Sequence, residues 1–214
     1  MRSTPCEIAR GVLSGLAIDG LVVMYVGNLE PYQGIDLLLA SFARVCRASE
    51  GHALVVVGGS PRDVEAYRTR CQPLGIAGRT HFLGPRPVRD LGRYLAAADV
   101  LVSPRLQGTN TPMKLYSYLH SGKPLVATDL PTHTQLLDDR VAVLAAPTPE
   151  ALGDAIARVL GDADLRARLG HAGRRFVEDT FTYQAFRERL TGLLDWLEAR
   201  APTAGDATRS GRAR

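Results

Sequence analysis

An alternation between two kinds of segment restricts the fold more than any other feature of the chain. Residues 21–26 (Leu-Val-Val-Met-Tyr-Val) and 53–57 (Ala-Leu-Val-Val-Val) are continuous apolar runs, each followed by a glycine-bearing turn and then by apolar residues at helical spacing. A strand apolar at every position has no wet face, so it belongs in a parallel sheet covered on both sides. Helix 35–48 would turn Leu38, Leu39, Phe42 and Val45 inward. After Val57, Gly58-Gly59-Ser60-Pro61 offers a turn, a capping serine and a first-position proline ahead of a helix at 64–74. Shorter strands follow at 81–84, 99–103, 125–127 and 141–144, with helices at 88–97 and around Gln135 between them. Helices at 149–160, 164–177 and 183–200 end the chain, the last carrying Phe186, Leu190, Leu193, Leu194 and Leu197 on one side. The class is α/β: a doubly wound parallel sheet of about six strands with C-terminal helices. Right-handed crossovers put the loops that follow the strands along one rim, where open sheets bind ligands.

Residues 103–124 carry the chemistry of that rim. They read as strand end, loop, helix and turn. Thr111 is placed to cap a helix whose first residue is Pro112, with Leu115, Tyr118 and Leu119 on one face and Gly122 and Pro124 ending it. Between Val100 and Thr128 stand Arg105, Lys114 and Lys123, and no Asp or Glu. Lys114 would fall in the first helical turn, where the dipole already favours anions and disfavours a cation. Two readings follow: loop amides and an ammonium converging on a phosphate, or a solvated lysine on an ordinary helix.

Composition removes several classes. The 214 residues are 45% hydrophobic, enough for one large or two small domains. Part of the net charge of +4 comes from Arg200, Arg209, Arg212 and Arg214, and aromatic content is low, so no nucleic-acid partner is expected. Cys6, Cys46 and Cys71 are too widely spaced for zinc or a disulfide framework, and the five histidines lack ligand spacing. No apolar run approaches the ~20 residues of a membrane span, and the N-terminus has no signal-peptide core. A cytoplasmic location follows as an expectation, with peripheral membrane association left open. Residues 1–20 read as a lead-in with a weak helical segment at 7–16, residues 21–200 as the domain, and residues 201–214 as a disordered basic tail.

Three motifs in order, Tyr-Val-Gly-Asn-Leu-Glu-Pro-Tyr-Gln-Gly at 25–34, Gly-Thr-Asn-Thr-Pro-Met-Lys-Leu-Tyr at 108–116 and Ser-Gly-Lys-Pro at 121–124, resemble the C-terminal half of family 4 retaining glycosyltransferases of the GT-B fold. The resemblance covers about residues 20–200 and implies a Rossmann-like, nucleotide-sugar-binding domain, half of a GT-B architecture. It implies a nucleotide diphosphate sugar as donor, an unidentified acceptor, transfer with retention, and neither metal nor cofactor. By the same resemblance Gly27, Asn28 and Gln33 lie near the donor diphosphate, Gly84 sits on a base-side loop, and Arg105 and Ser117 border the donor. The backbone of Thr109, Asn110, Thr111, Pro112 and Met113 meets the phosphates, with Lys114 as the catalytic cation.

Three departures accompany it. Many members grip the phosphates with Arg and Lys where this chain has Asn28 and Gln33. Most have a glutamate on the donor ribose at the position of Ser117, and its companion eight positions earlier corresponds to Thr109. The acceptor-binding N-terminal half would precede residue 20. A non-catalytic or degenerate module, or a subunit completed by an N-terminal half on another chain, is therefore the alternative. A dinucleotide oxidoreductase is disfavoured because the loop after Val26 lacks G-x-G-x-x-G spacing. Glu30 reads as a sugar ligand or a solvated carboxylate, and Asp129 and Thr132 as donor contacts or caps.

Overall fold

The computed structural model describes residues 11–200, and the proposed tail at 201–214 lies outside them. Six parallel strands form one sheet: β1 (Val22–Val26), β2 (Ala53–Val57), β3 (Thr80–Gly84), β4 (Val100–Ser103), β5 (Leu125–Thr128) and β6 (Val143–Ala145), in the order β3-β2-β1-β4-β5-β6. The chain winds outward from β1 to β3, then returns to the other side of β1, where Val23 pairs with Val100 and Met24 with Leu101. That reversal makes a switch point at the carboxyl ends of β1 and β4, beside the loops that leave both strands.

The helices are α1 (Ile35–Ala48), α2 (Pro61–Cys71), α3 (Leu91–Ala97), α4 (Lys114–His120), α5 (Pro131–Thr134), α6 (Pro149–Gly161), α7 (Ala163–Thr180) and α8 (Tyr183–Glu198). Strands β1, β2, β4 and β5 are buried at nearly every residue, as their unbroken apolar runs require. Helix α1 packs on α6, and Gly153 permits the approach, since a Cβ there would stand 3.0 Å from the Ser41 carbonyl oxygen. Leu38, Leu39, Phe42, Leu152 and Ile156 join Val23, Tyr25 and Val102 in the main core.

Several boundaries differ from the sequence reading, each for a local reason. Helix α2 starts at Pro61 because Ser60 and Asp63 form a reciprocal capping box, and it ends at Cys71. The segment 88–97 divides into a 3-10 turn, Val88–Asp90, and α3. Helix α4 begins at Lys114, not Pro112, and Thr111 does not cap it: the Thr111 hydroxyl turns to Gln135 Oε1 (3.3 Å). The sixth strand is Val143–Ala145, because the amides of Val141 and Ala142 close a turn on the Asp138 carbonyl. Of the segment 7–16, the described part holds a single 3-10 turn, Gly11–Leu13.

The chain divides into two compact units, one reaching Phe176 and one starting at Val177. In the second, Thr182 caps α8 by accepting from the Ala185 amide, and the apolar side chains of α8 are exposed.

Candidate functional site

Lys114 opens α4 and reaches under the loop that leaves β1. Its ammonium donates to the Tyr25 hydroxyl (2.9 Å) and to Gln33 Oε1 (2.8 Å), and lies 4.2 Å from the Tyr25 ring centroid. The Tyr25 hydroxyl in turn donates to the Asn28 carbonyl (2.6 Å), so one network ties strand, loop and helix. An ammonium has three N–H donors; two are used here, and no described carboxylate comes within salt-bridge distance. Burial, reinforced by the nearby Arg105 charge, pushes the Lys114 ammonium down to about 7. Gly27 is required by the approach itself: a Cβ there would stand 2.8 Å from Lys114 Nζ and 2.8 Å from the Tyr25 hydroxyl. Tyr118, fully buried on α4, accepts from the Val26 amide (2.7 Å) and donates to the Val26 carbonyl (3.0 Å), which fixes the helix to the end of β1. Burial raises the phenols of Tyr25 and Tyr118, so both stay neutral donors.

The loop after β4 has its carbonyls held and its amides open. Arg105 is 8% exposed, and its guanidinium donates to the Gln107 carbonyl (2.6 Å) and to Asn110 Oδ1 (3.0 Å) and lies 5.2 Å from the Tyr32 ring centroid. Gly108 (φ 129°) passes so close to that guanidinium that no Cβ fits. Thr128 donates to the Arg105 carbonyl (2.6 Å), Thr132 to the Asn110 carbonyl (2.8 Å) and Gln135 to the Thr109 carbonyl (2.9 Å). The amides of Gly108, Thr109, Asn110 and Thr111 find no acceptor among the described residues. Leu106 donates its amide to the Tyr32 carbonyl (2.8 Å), joining this loop to the one after β1.

Beneath the loop, His133 is wholly buried. Its Nδ1 lies 2.8 Å from the Thr128 carbonyl and 3.0 Å from Thr128 Oγ1, and its Nε2 lies 2.9 Å from Ser103 Oγ. A carbonyl only accepts, so Nδ1 carries the proton and Nε2 accepts from Ser103. Burial, with the charges of Lys114 and Arg105, holds His133 down to about 4.

Hydrogen bonds thus join Asn28, Gln33 and Lys114 at the end of β1, and Arg105, Thr109 and Asn110 in the loop after β4, with the Leu106 amide tying the two loops together. Gly84 ends β3 with φ 68°, and its carbonyl accepts from the Gly58 amide. Near it lies a mostly apolar hollow of about 160 Å³ lined by Val26, Val57, Arg86, Pro87, Val88, Leu91 and Tyr94. Ser117 faces a groove between α3 and α4 with Leu91, Leu95 and Ser121. Met113 is 76% exposed, leaving its backbone as the relevant group. Sequence reasoning missed Tyr25, Tyr118, His133 and Gln135. Tyr25 carried a signal, a polar tip inside an otherwise apolar strand, whereas the others showed none. Among the described residues no group of three or more His, Cys, Asp or Glu could hold a metal ion, and no helix is long and apolar enough to cross a membrane.

The fold defines the class: a Rossmann-like domain of GT-B type. The chain belongs to the family described as Glycosyl transferases group 1, whose model matches residues 20–162. Among curated proteins it is 29% identical over 192 residues to the D-inositol 3-phosphate glycosyltransferase of Corynebacterium glutamicum, covering 84% of this chain and 44% of that protein. It is 30% identical over 210 residues to the protein of that name from Saccharomonospora viridis, covering 93% and 47%. The chain therefore spans about half the length of the curated relatives it matches. Sucrose-phosphate synthase from Thermosynechococcus elongatus superposes with a TM-score of 0.74 at 27% identity, over 90% of this chain and 49% of that one. Anabaena HepE in complex with UDP and glucose shares the fold with a TM-score of 0.77 at 19% identity, over 91% and 53%. The C-terminal domain of the Francisella tularensis protein LpcC shares the fold at 15% identity and a TM-score of 0.72, with 95% of its length matched by 85% of this chain.

Proposed function

We propose that this chain is the donor-binding half of a retaining glycosyltransferase and holds a nucleotide diphosphate sugar, with Lys114 and the open amides of 108–111 on the diphosphate. The observation that carries this reading is the Lys114 ammonium: enclosed, without a carboxylate, and with one N–H donor unused. In transfer, the bond between the anomeric carbon and the diphosphate oxygen breaks, the acceptor hydroxyl oxygen bonds that carbon on the same face, and its proton passes to the departing diphosphate. The diphosphate gains negative charge, which the ammonium and the amides stabilise. That charge supply makes no demand on a metal. The mostly apolar hollow near Gly84 suits the flat face of a base. The relatives' names agree: the HepE structure is a complex with UDP, and a Mycobacterium tuberculosis relative, 26% identical over 180 residues, is named as a GDP-mannose-dependent mannosyltransferase.

Isothermal titration with UDP- and GDP-sugars, with and without a chelator, tests the reading. Wild type should bind one donor class, Lys114→Met should bind it far more weakly, and equal binding by both would remove Lys114 from the site. A second reading, a module that binds donor without turnover, is favoured by Ser117, whose hydroxyl is too short to hold two ribose hydroxyls as a carboxylate would. Donor hydrolysis by the chain, alone and with a candidate N-terminal half, separates the two readings.

A further inference from the structure

We propose that Thr132 and Gln135, from the segment after β5, are positioning residues that aim the amides of Asn110 and Thr111 at the donor diphosphate. This rests on the reading above that the loop receives phosphates. Across a trans peptide the carbonyl of one residue and the amide of the next point in opposite directions. Gln135 Nε2 holds the Thr109 carbonyl (2.9 Å), which turns the Asn110 amide to the opposite side. Thr132 Oγ1 holds the Asn110 carbonyl (2.8 Å), which does the same to the Thr111 amide. Neither amide has an acceptor among the described residues. Thr132 is 1% exposed, so its hydroxyl has no water to turn to, and the direction of the peptide is set from inside the protein. Arg105 shares the Asn110 carbonyl only at 3.5 Å, so Thr132 is the principal partner. Gln135 also accepts from the Thr111 hydroxyl (3.3 Å), spending on the loop the group that would otherwise cap α4. Neither residue touches the ligand; each acts through a peptide plane.

The test uses the full chain, inorganic pyrophosphate as the probe, and amide proton–nitrogen spectra. In wild type, pyrophosphate should move the Asn110 and Thr111 amide protons downfield. Thr132→Val, which keeps shape and loses the donor, should weaken pyrophosphate roughly tenfold and abolish the Thr111 shift, as expected for one lost hydrogen-bond contribution. Thr132→Ser should restore both. Gln135→Met, at an exposed site that tolerates change, should reduce the Asn110 shift by itself. If wild type binds pyrophosphate and both Thr132→Val and Gln135→Met bind equally well with unchanged amide shifts, the positioning role is wrong while the site stands. No pyrophosphate binding by wild type would instead overturn the reading on which the proposal rests.

Discussion

Lys114 and His133 are basic side chains enclosed at the same rim of the sheet, and they are finished in opposite ways. His133 has both ring nitrogens engaged, by Thr128 and Ser103, and nothing is left to offer a ligand. Lys114 has two partners for three donors, and both partners are neutral. A buried polar group with every bond made fixes structure; one left a donor short, with its charge unpaired, is costly until an anion arrives. The difference separates a finished structural contact from a group with a donor to spare, although both stand at the same end of the sheet.

The largest effect that would break this comparison lies with the histidine. His133→Leu leaves the buried Ser103 Oγ without its partner and puts an isobutyl group in place of a fully buried, hydrogen-bonded ring, and should cost about 3 kcal/mol of stability, read by urea denaturation. A change under about 0.5 kcal/mol would show that the histidine is not structural. Next comes Lys114→Met, expected to weaken donor or pyrophosphate binding about thirtyfold, the scale of a lost charged hydrogen bond of ~2 kcal/mol. At pH 7 that variant should be at least as stable as wild type, since it removes a buried charge.

The two groups should also answer pH in different windows. His133 is lowered from 6.5 to about 4, so the unfolded chain binds the extra proton between those values. Its contribution is complete above 6.5 and is lost as pH falls towards 4. Lys114 is lowered from 10.5 to about 7, so its cost to the fold is full below 7 and relieved as pH rises towards 10.5. Thermal scans should show the stability advantage of Lys114→Met narrowing from pH 7 to 10, and that of wild type over His133→Leu narrowing from pH 6.5 to 4. Donor binding by wild type at pH 8 should take up a proton, seen as a buffer-dependent heat that Lys114→Met lacks. Gly27→Ala, whose methyl would stand 2.8 Å from both Lys114 Nζ and the buried Tyr25 hydroxyl at a φ of 158°, should lower the melting temperature as well as weaken donor affinity; neither changing would show that the close approach is not needed.

Much of the fold was legible because it is written in local pattern. The apolar runs became β1 and β2 at the expected places, and the helix with Leu38, Leu39, Phe42 and Val45 inward is α1. Thr111 was misread because a threonine beside a proline looks like a cap, and only the segment at 131–135 offers it a different partner. Arg105, expected to border the donor, has its guanidinium largely spent on its own loop. Amphipathic pattern alone did not say whether the stripe on α8 is covered. Phe42 of α1 is wholly buried, whereas Phe186 and Leu193 of α8 are 60% and 52% exposed, and a helical stripe does not say what covers it.

The sequence by itself determined the parallel α/β plan, the acid-free stretch around Lys114 and the family to which the chain is similar, because each depends on residues close together in the chain. Only the tertiary structure decided that Lys114 meets Tyr25 and Gln33, 89 and 81 positions away, and that His133 closes on Ser103 thirty positions before it. Parallel pairing of β1 with β4 makes the first of those meetings, and that of β4 with β5 the second. Strands without a polar edge carry no local mark of which neighbour they will join, so the partners of a buried ammonium appear only once the sheet has closed its order.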